Sequence, residues 1–273
     1  MMWKIRLRSK MDNLTAINEG IGPSVTLLHG VGLNADAWGR QIEPLANYFT
    51  VKAFDMPGHG ESPELAMASP KLNDYVAAMK QHINEPTVVV GHSMGAMIAL
   101  KLAIKKEVVG VVALNAVFQR SPSAHDAVQK RVQELHLSTN TDPRPTLKRW
   151  FEDQTSLEAK MCDRWLRHVS IDGYRAAYNV FAQENGPTAQ ELDALKKPAL
   201  FMTGGLELNS TPDMSTQMAS LCEMGNAVIL EDAAHMMPMT HYKNVNSTND
   251  IAINLIKSWY NAGFFYYPEK QNY

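Results

Sequence analysis

Apolar residues concentrate in short runs at 25–28, 51–55, 88–90, 108–115, 199–202 and 227–230, lengths that suit strands buried on both faces. Between them the spacing changes. Trp38, Ile42, Leu45 and Ala46 share one side of 35–47, 72–83 reads as a second helix, and 94–104 as a buried helix that is apolar almost all round. The alternation predicts parallel strands joined by crossover helices, an α/β chain. Near the N-terminus, 5–7 and 14–17 flank the turn Met11-Asp12-Asn13 and predict a hairpin leading into the sheet.

The alternation breaks at 118. From there to 190 the apolar positions keep helical periodicity, in the groups Val128, Val132 and Leu135, then Leu147, Trp150 and Phe151, then Trp165, Leu166 and Val169, then Tyr174, Tyr178 and Phe181, with Pro143 and Pro145 as a division. This predicts a helical cap at 118–190, inserted into a core formed by 1–117 and 191–273 and folded over the carboxyl ends of the strands to make a pocket. After 230 the pattern predicts a closing helix at 251–260. The aromatic tail Phe264-Phe265-Tyr266-Tyr267-Pro268 would pack on the body or, in a homodimer, on a second subunit.

Composition narrows the function classes. The chain has 273 residues, 45% hydrophobic and 20% charged, with a formal net charge of -2, the profile of a soluble globular protein and no reason to propose nucleic acid or a membrane as partner. Cys162 and Cys222 are far apart and belong to no Cys-x-x-Cys pair, which argues for buried thiols in a reducing, cytoplasmic setting. The N-terminal decapeptide alternates charged and apolar residues and reads as an edge strand, not an export signal. No stretch approaches the roughly 20 apolar residues that span a bilayer.

The chemistry is concentrated at strand ends. Gly91-x-Ser93-x-Gly95, between the strand 88–90 and the helix 94–104, is a nucleophile elbow: a serine on a sharp, strained turn whose neighbours two residues away must be small. The helix that follows points its positive end at Ser93. His29-Gly30-Val31-Gly32 closes the strand 25–28, and its Val31 amide, with that of Met94, is placed to form an oxyanion hole. A serine hydroxyl needs a base, and His235, just past the last strand, is the natural choice. Asp55 and Ser62 are set to bond the backbone of the turn 55–62, with His59 as a turn-stabilising residue and not a proton carrier. His235 and His241, with Pro238 between them, have poor metal-ligand geometry, so no metal or other cofactor is expected.

Four motifs in this order, the His29-Gly30 loop, Asp55-x-Pro57-Gly58-His59-Gly60-x-Ser62, Gly91-His92-Ser93-Met94-Gly95 and Asp232-Ala233-Ala234-His235, resemble the α/β-hydrolase superfamily, most closely its cofactor-free esterases, enol-lactone hydrolases and carbon–carbon bond hydrolases. The resemblance implies a mostly parallel eight-stranded sheet with helices on both faces and an inserted helical cap. It implies catalysis by Ser93 and His235 with a carboxylate behind the histidine. Where the family commonly has Gly-x-x-Asp, this chain has Gly204-Gly205-Leu206-Glu207; Glu207 stands at the matching position, and Asp213 and Asp232 are the alternatives. His29, Gly30, Gly32 and His92 would surround the substrate, His92 shaping the elbow. The expected substrate is a small carboxylic ester or lactone. A carbon–carbon bond hydrolase or an amidase would use the same residues, and a ligand-sensing receptor would keep the fold without the turnover.

Overall fold

The computed structural model describes residues 3–4, 6–137 and 142–247. Its centre is an eight-stranded sheet in the order β1-β2-β4-β3-β5-β6-β7-β8, comprising Ser9–Met11, Leu14–Glu19, Ser24–Leu28, Thr50–Asp55, Thr87–His92, Val108–Leu114, Ala199–Gly204 and Gly225–Leu230 for β1 to β8. The pairs β1·β2 and β2·β4 are antiparallel and the remaining pairs parallel. Because strand side chains alternate between faces, neighbours in one strand feed separate cores: Val88 and Val90 pack with Trp38 and Ile42 on one face, Val89 with Met97 and Ile98 on the other. The six predicted runs all give strands of this sheet, but the last is not buried: β8 is an edge strand and lies half-exposed.

Two N-terminal expectations shift. Of the strand expected at 5–7, residue 5 lies outside the described residues and 6–7 are not in the sheet; the first strand described is Ser9–Met11, where the turn at Asp12 and Asn13 opposes Met11 to Leu14. Arg6 instead turns inward, donating to the Gly39 carbonyl at 3.1 Å and pairing with Glu19 at 3.2 Å. The segment 35–47 divides into a 3₁₀ turn, Ala35–Trp38, capped by the Asn34 side chain, and the helix α1, Gly39–Leu45. The helices α2 (Leu72–Lys80) and α3 (Met94–Leu102) follow β4 and β5. The expected closing helix at 251–260 and the aromatic tail lie outside the described residues.

Strand β3 lies between β4 and β5, so the chain crosses over in opposite directions on either side of it. Crevices outside the carboxyl ends of strands at such a reversal are where open α/β sheets take ligands. Here the loops after β3 and β5 meet, carrying Val31 and Ser93.

Between β6 and β7 the chain leaves the sheet for α4 (Pro122–Leu137), α5 (Arg144–Trp150), α6 (Leu157–His168), α7 (Ile171–Gln183) and α8 (Ala189–Asp193). Val128, Val132 and Leu135 of α4 are buried with Tyr174, Val180 and Phe181 of α7. The insertion is fastened to the body by the Arg40–Glu158 ion pair at 3.1 Å and an edge-to-face contact of Trp3 with Trp165, ring centroids 6.0 Å apart. The helix α9 (Pro212–Leu221) links β7 to β8, and α10 (Met237–Thr240) follows the loop after β8. Among the described residues no helix is long and apolar enough to cross a membrane.

Candidate active site

Ser93 ends the strand β5 and begins α3 with φ 57° and ψ −119°, a left-handed conformation that costs a non-glycine residue about 1–3 kcal/mol and persists only where the surroundings enforce it. Those surroundings are tight. A Cβ on Gly91 would sit 2.1 Å from the Gly95 carbonyl oxygen, and one on Gly95 2.2 Å from the Leu28 carbonyl oxygen, so only glycine lets the elbow lie against β3. The Ser93 amide is tied to the Leu114 carbonyl at 2.8 Å, while no protein acceptor among the described residues takes the amides of Val31 or Met94.

His235 stands on the loop after β8, buried, with its Nδ1 hydrogen-bonded to Glu207 Oε2 at 2.8 Å. Nδ1 therefore donates to the carboxylate, and Nε2 is left as the acceptor. Glu207 is held in turn: its Oε1 accepts from the amides of Asn209 at 2.8 Å and Ser210 at 3.4 Å. Burial pushes the Glu207 carboxyl up, but His235 and these two amides outweigh it and hold the group at about 2. The alternatives stand elsewhere. Asp213 is in the first turn of α9, and Asp232 is exposed beside His241, 3.6 Å from its Nε2.

The backbone of His235 is clamped as well. Its carbonyl accepts from His92 Nε2 and from Asn115 Nδ2, both at 2.8 Å. Burial lowers His92 to about 3, so it is a neutral donor at physiological pH. Asn115, at the end of β6 with φ 51°, also accepts from the Gly204 amide through its Oδ1. Two further buried histidines tie the loop after β3 to the turn after β4. His29 Nε2 accepts from the Met56 amide and His59 Nε2 from the Gly32 amide, each at 3.0 Å, while their Nδ1 atoms donate to the carbonyls of Gly30 and Pro57. Burial lowers both below the ordinary histidine pKa and keeps them neutral.

A cavity of about 40 Å³ joins these elements, with Ser93, Val31 and His235 on the sheet side and Arg149, Trp150 and Tyr178 from the inserted helices on the other. His29, Gly30, Gly32 and His92, expected to meet substrate, lie behind this lining. The ring nitrogens of His29 are both spent on backbone, and His92 is committed to the His235 carbonyl. Trp150 stacks on His235, and the sequence shows it only as one member of the apolar stripe on α5. Asn115 reads in sequence as no more than a strand end; its amide becomes meaningful once β6 is known to lie beside β5 and β7.

A model of the alpha/beta hydrolase family matches residues 27–248, and the chain belongs to that family. It is 36% identical over 249 residues, 86% of this chain and 92% of the relative, to the (E)-2-((N-methylformamido)methylene)succinate hydrolase of Acinetobacter baylyi. Among solved structures it is similar to the enol-lactonase of Burkholderia xenovorans LB400, with a TM-score of 0.75 at 19% identity, covering 92% of this chain and 100% of the other. It is also similar to an E-2-(acetamidomethylene)succinate hydrolase, with a TM-score of 0.71 at 19% identity and coverage of 90% and 98%. The protein is thus an enzyme of the hydrolase type on an α/β-hydrolase fold.

Proposed function

We propose that the protein is a serine hydrolase that cleaves a small carboxylic ester or lactone through an acyl-enzyme on Ser93. The observation that carries this reading is the 2.8 Å hydrogen bond between Glu207 and His235 Nδ1, beside a serine at positive φ in the same cavity. His235 Nε2 takes the Ser93 hydroxyl proton as Oγ attacks the carbonyl carbon, and the amides of Val31 and Met94 receive the oxyanion. The C–O bond to the leaving alcohol breaks as His235 returns the proton to it. Water then attacks the acyl-enzyme by the same route and frees Ser93. Glu207 keeps Nδ1 protonated and stabilises the imidazolium that forms in each half-reaction.

A second reading, amide cleavage with the same residues, draws support from the Acinetobacter relative, whose name describes hydrolysis of a methylformamido compound. Both readings share one test. A fluorophosphonate probe should label Ser93, located by peptide mapping, and Ser93→Ala should abolish both labelling and turnover of a short-chain p-nitrophenyl ester. Labelling at another residue, or full activity in Ser93→Ala, refutes the acyl-enzyme.

A further inference from the structure

The cavity wall that faces Ser93 from the inserted helices carries one charged side chain among aromatic ones. Arg149, in the last turn of α5, lines the cavity together with Ser93 and His235. Among the described residues no carboxylate pairs with it, and its one hydrogen bond is long, 3.5 Å to Thr146 Oγ1. Two more arginines lie behind. Arg120 is buried, donates to the carbonyls of Phe181 and Glu184, and lies 4.4 Å from the centre of the Phe181 ring, itself part of the lining. Arg131 is paired with Glu134 at 3.1 Å. Burial and then Tyr174 push the Tyr178 hydroxyl above its ordinary pKa, and the charges of Arg149, Arg131 and Arg120 oppose that shift. No carboxylate lines the cavity, and Glu207 stands behind His235 with its own charge answered there.

Resting on the serine-hydrolase reading, we propose that the substrate carries a free carboxylate, bound by the Arg149 guanidinium at the cavity rim. The chemical class this selects is the half-ester, or corresponding half-amide, of a short dicarboxylic acid. The planar fork of an arginine matches two carboxylate oxygens, which a lysine ammonium does not. Trp150, the next residue, stacks on His235, and Arg149 lines the same cavity as Ser93 and His235. Arg149 is exposed, so its charge can attract an anion from solvent.

The test compares monomethyl succinate with dimethyl succinate, nearly equal in shape but different in charge, by proton release from wild type, Arg149→Gln and Arg149→Lys. Wild type should prefer the monoanion by about tenfold or more in kcat/KM. Arg149→Gln should erase most of that ratio, chiefly through KM, and Arg149→Lys should restore part of it. Arg167→Gln, on an exposed arginine of α6 paired with Asp163, controls for net charge alone. Calorimetric titration of Ser93→Ala with succinate and with neutral succinamide reads the same contact without turnover. Hydrolysis of both esters with no charge preference, or a preference untouched in Arg149→Gln, overturns the carboxylate site and leaves the acyl-enzyme standing. Failure of the fluorophosphonate to label Ser93 overturns the acyl-enzyme, and the titration then decides the carboxylate site by itself: succinate that binds no better than succinamide removes it.

Discussion

The indole of Trp150 stacks on the imidazole of His235, with ring centroids 5.3 Å apart and 22° between the planes. One ring belongs to the inserted helix α5 and the other to the loop after β8, so the orientation of the proposed base depends on the insertion being seated.

Replacing Trp150 by leucine should therefore lower kcat more than it raises KM. A contact of this kind contributes about 0.5–1.4 kcal/mol, which corresponds to a loss of roughly twofold to tenfold in kcat. Trp150→Phe should recover most of the loss. Steady-state kinetics on a short-chain ester decide the matter: a rise in KM at constant kcat in Trp150→Leu would show that the indole only packs against substrate.

Glu207 sets a pH dependence whose sign can be worked out. Its folded-state carboxyl is held at about 2 against an ordinary 4.5, so its contribution to stability is fully present above pH 4.5 and is lost as the pH falls from there towards 2. Glu207→Gln lacks that contribution, and the gap in urea midpoint between it and wild type should narrow through this window. A gap that stays constant with pH would contradict the depressed carboxyl. In activity, the glutamine amide can donate to Nδ1 and so invert the tautomer of His235, which should cost roughly 10³- to 10⁴-fold in kcat. Glu207→Asp keeps the charge but is one methylene short of spanning from the Asn209 amide to His235, and should fall between.

The partnership of Glu207 with His235 is legible in the sequence because both follow apolar strands, and strand ends converge in an α/β sheet. Asp213 is disqualified by the same local rule that makes it useful, since a carboxylate in a first helical turn after Pro212 answers the helix end. Trp150 and Arg149 are not legible. The stripe Leu147, Trp150 and Phe151 has the spacing of a core-facing helix, and Arg149 beside it resembles any exposed cation; only the tertiary placement of α5 puts both at the cavity. The first strand misleads for a related reason. Arg6 and Leu7 alternate in polarity as an edge strand does, but Arg6 is instead committed to Glu19 and to the Gly39 carbonyl, partners unmarked in the sequence.

Asn115→Ala should lose on two counts. The side chain's bonds to the His235 carbonyl and the Gly204 amide disappear, and an alanine is left at φ 51°. Together these predict a destabilisation of about 2–4 kcal/mol in urea unfolding. Asn115→Gly separates the terms, since it relieves the backbone while still losing the bonds. If the two variants unfold at the same urea concentration, the strain contribution is absent. Both should lower kcat, because the His235 carbonyl keeps only His92.

Asp55 reaches the site from the other side of the sheet's reversal. Fully buried at the end of β4, its carboxylate accepts from the Ala35 amide at 2.8 Å, the Glu61 amide at 3.0 Å and Arg8 Nε at 2.8 Å. Arg8 bonds Asp36 as well, so the guanidinium is neutralised by two acids, one in the 3₁₀ turn and one at the end of β4. The turn that Asp55 anchors carries His59, and His59 holds the Gly32 amide next to Val31. Asp55→Asn turns an acceptor-only group into one that must present an amide to these donors, and it leaves Arg8 with one partner. Breaking a buried pair from one side costs about 3–5 kcal/mol, while removing both partners is far less costly. The variant should therefore unfold at markedly lower urea, and Arg8→Met combined with Asp55→Asn should recover part of the loss. Activity separates the consequences: if the turn steadies the loop that bears Val31, kcat at full folding falls in both the single and the double variant, whereas unchanged kcat in the folded protein would mean that the loop is held without it.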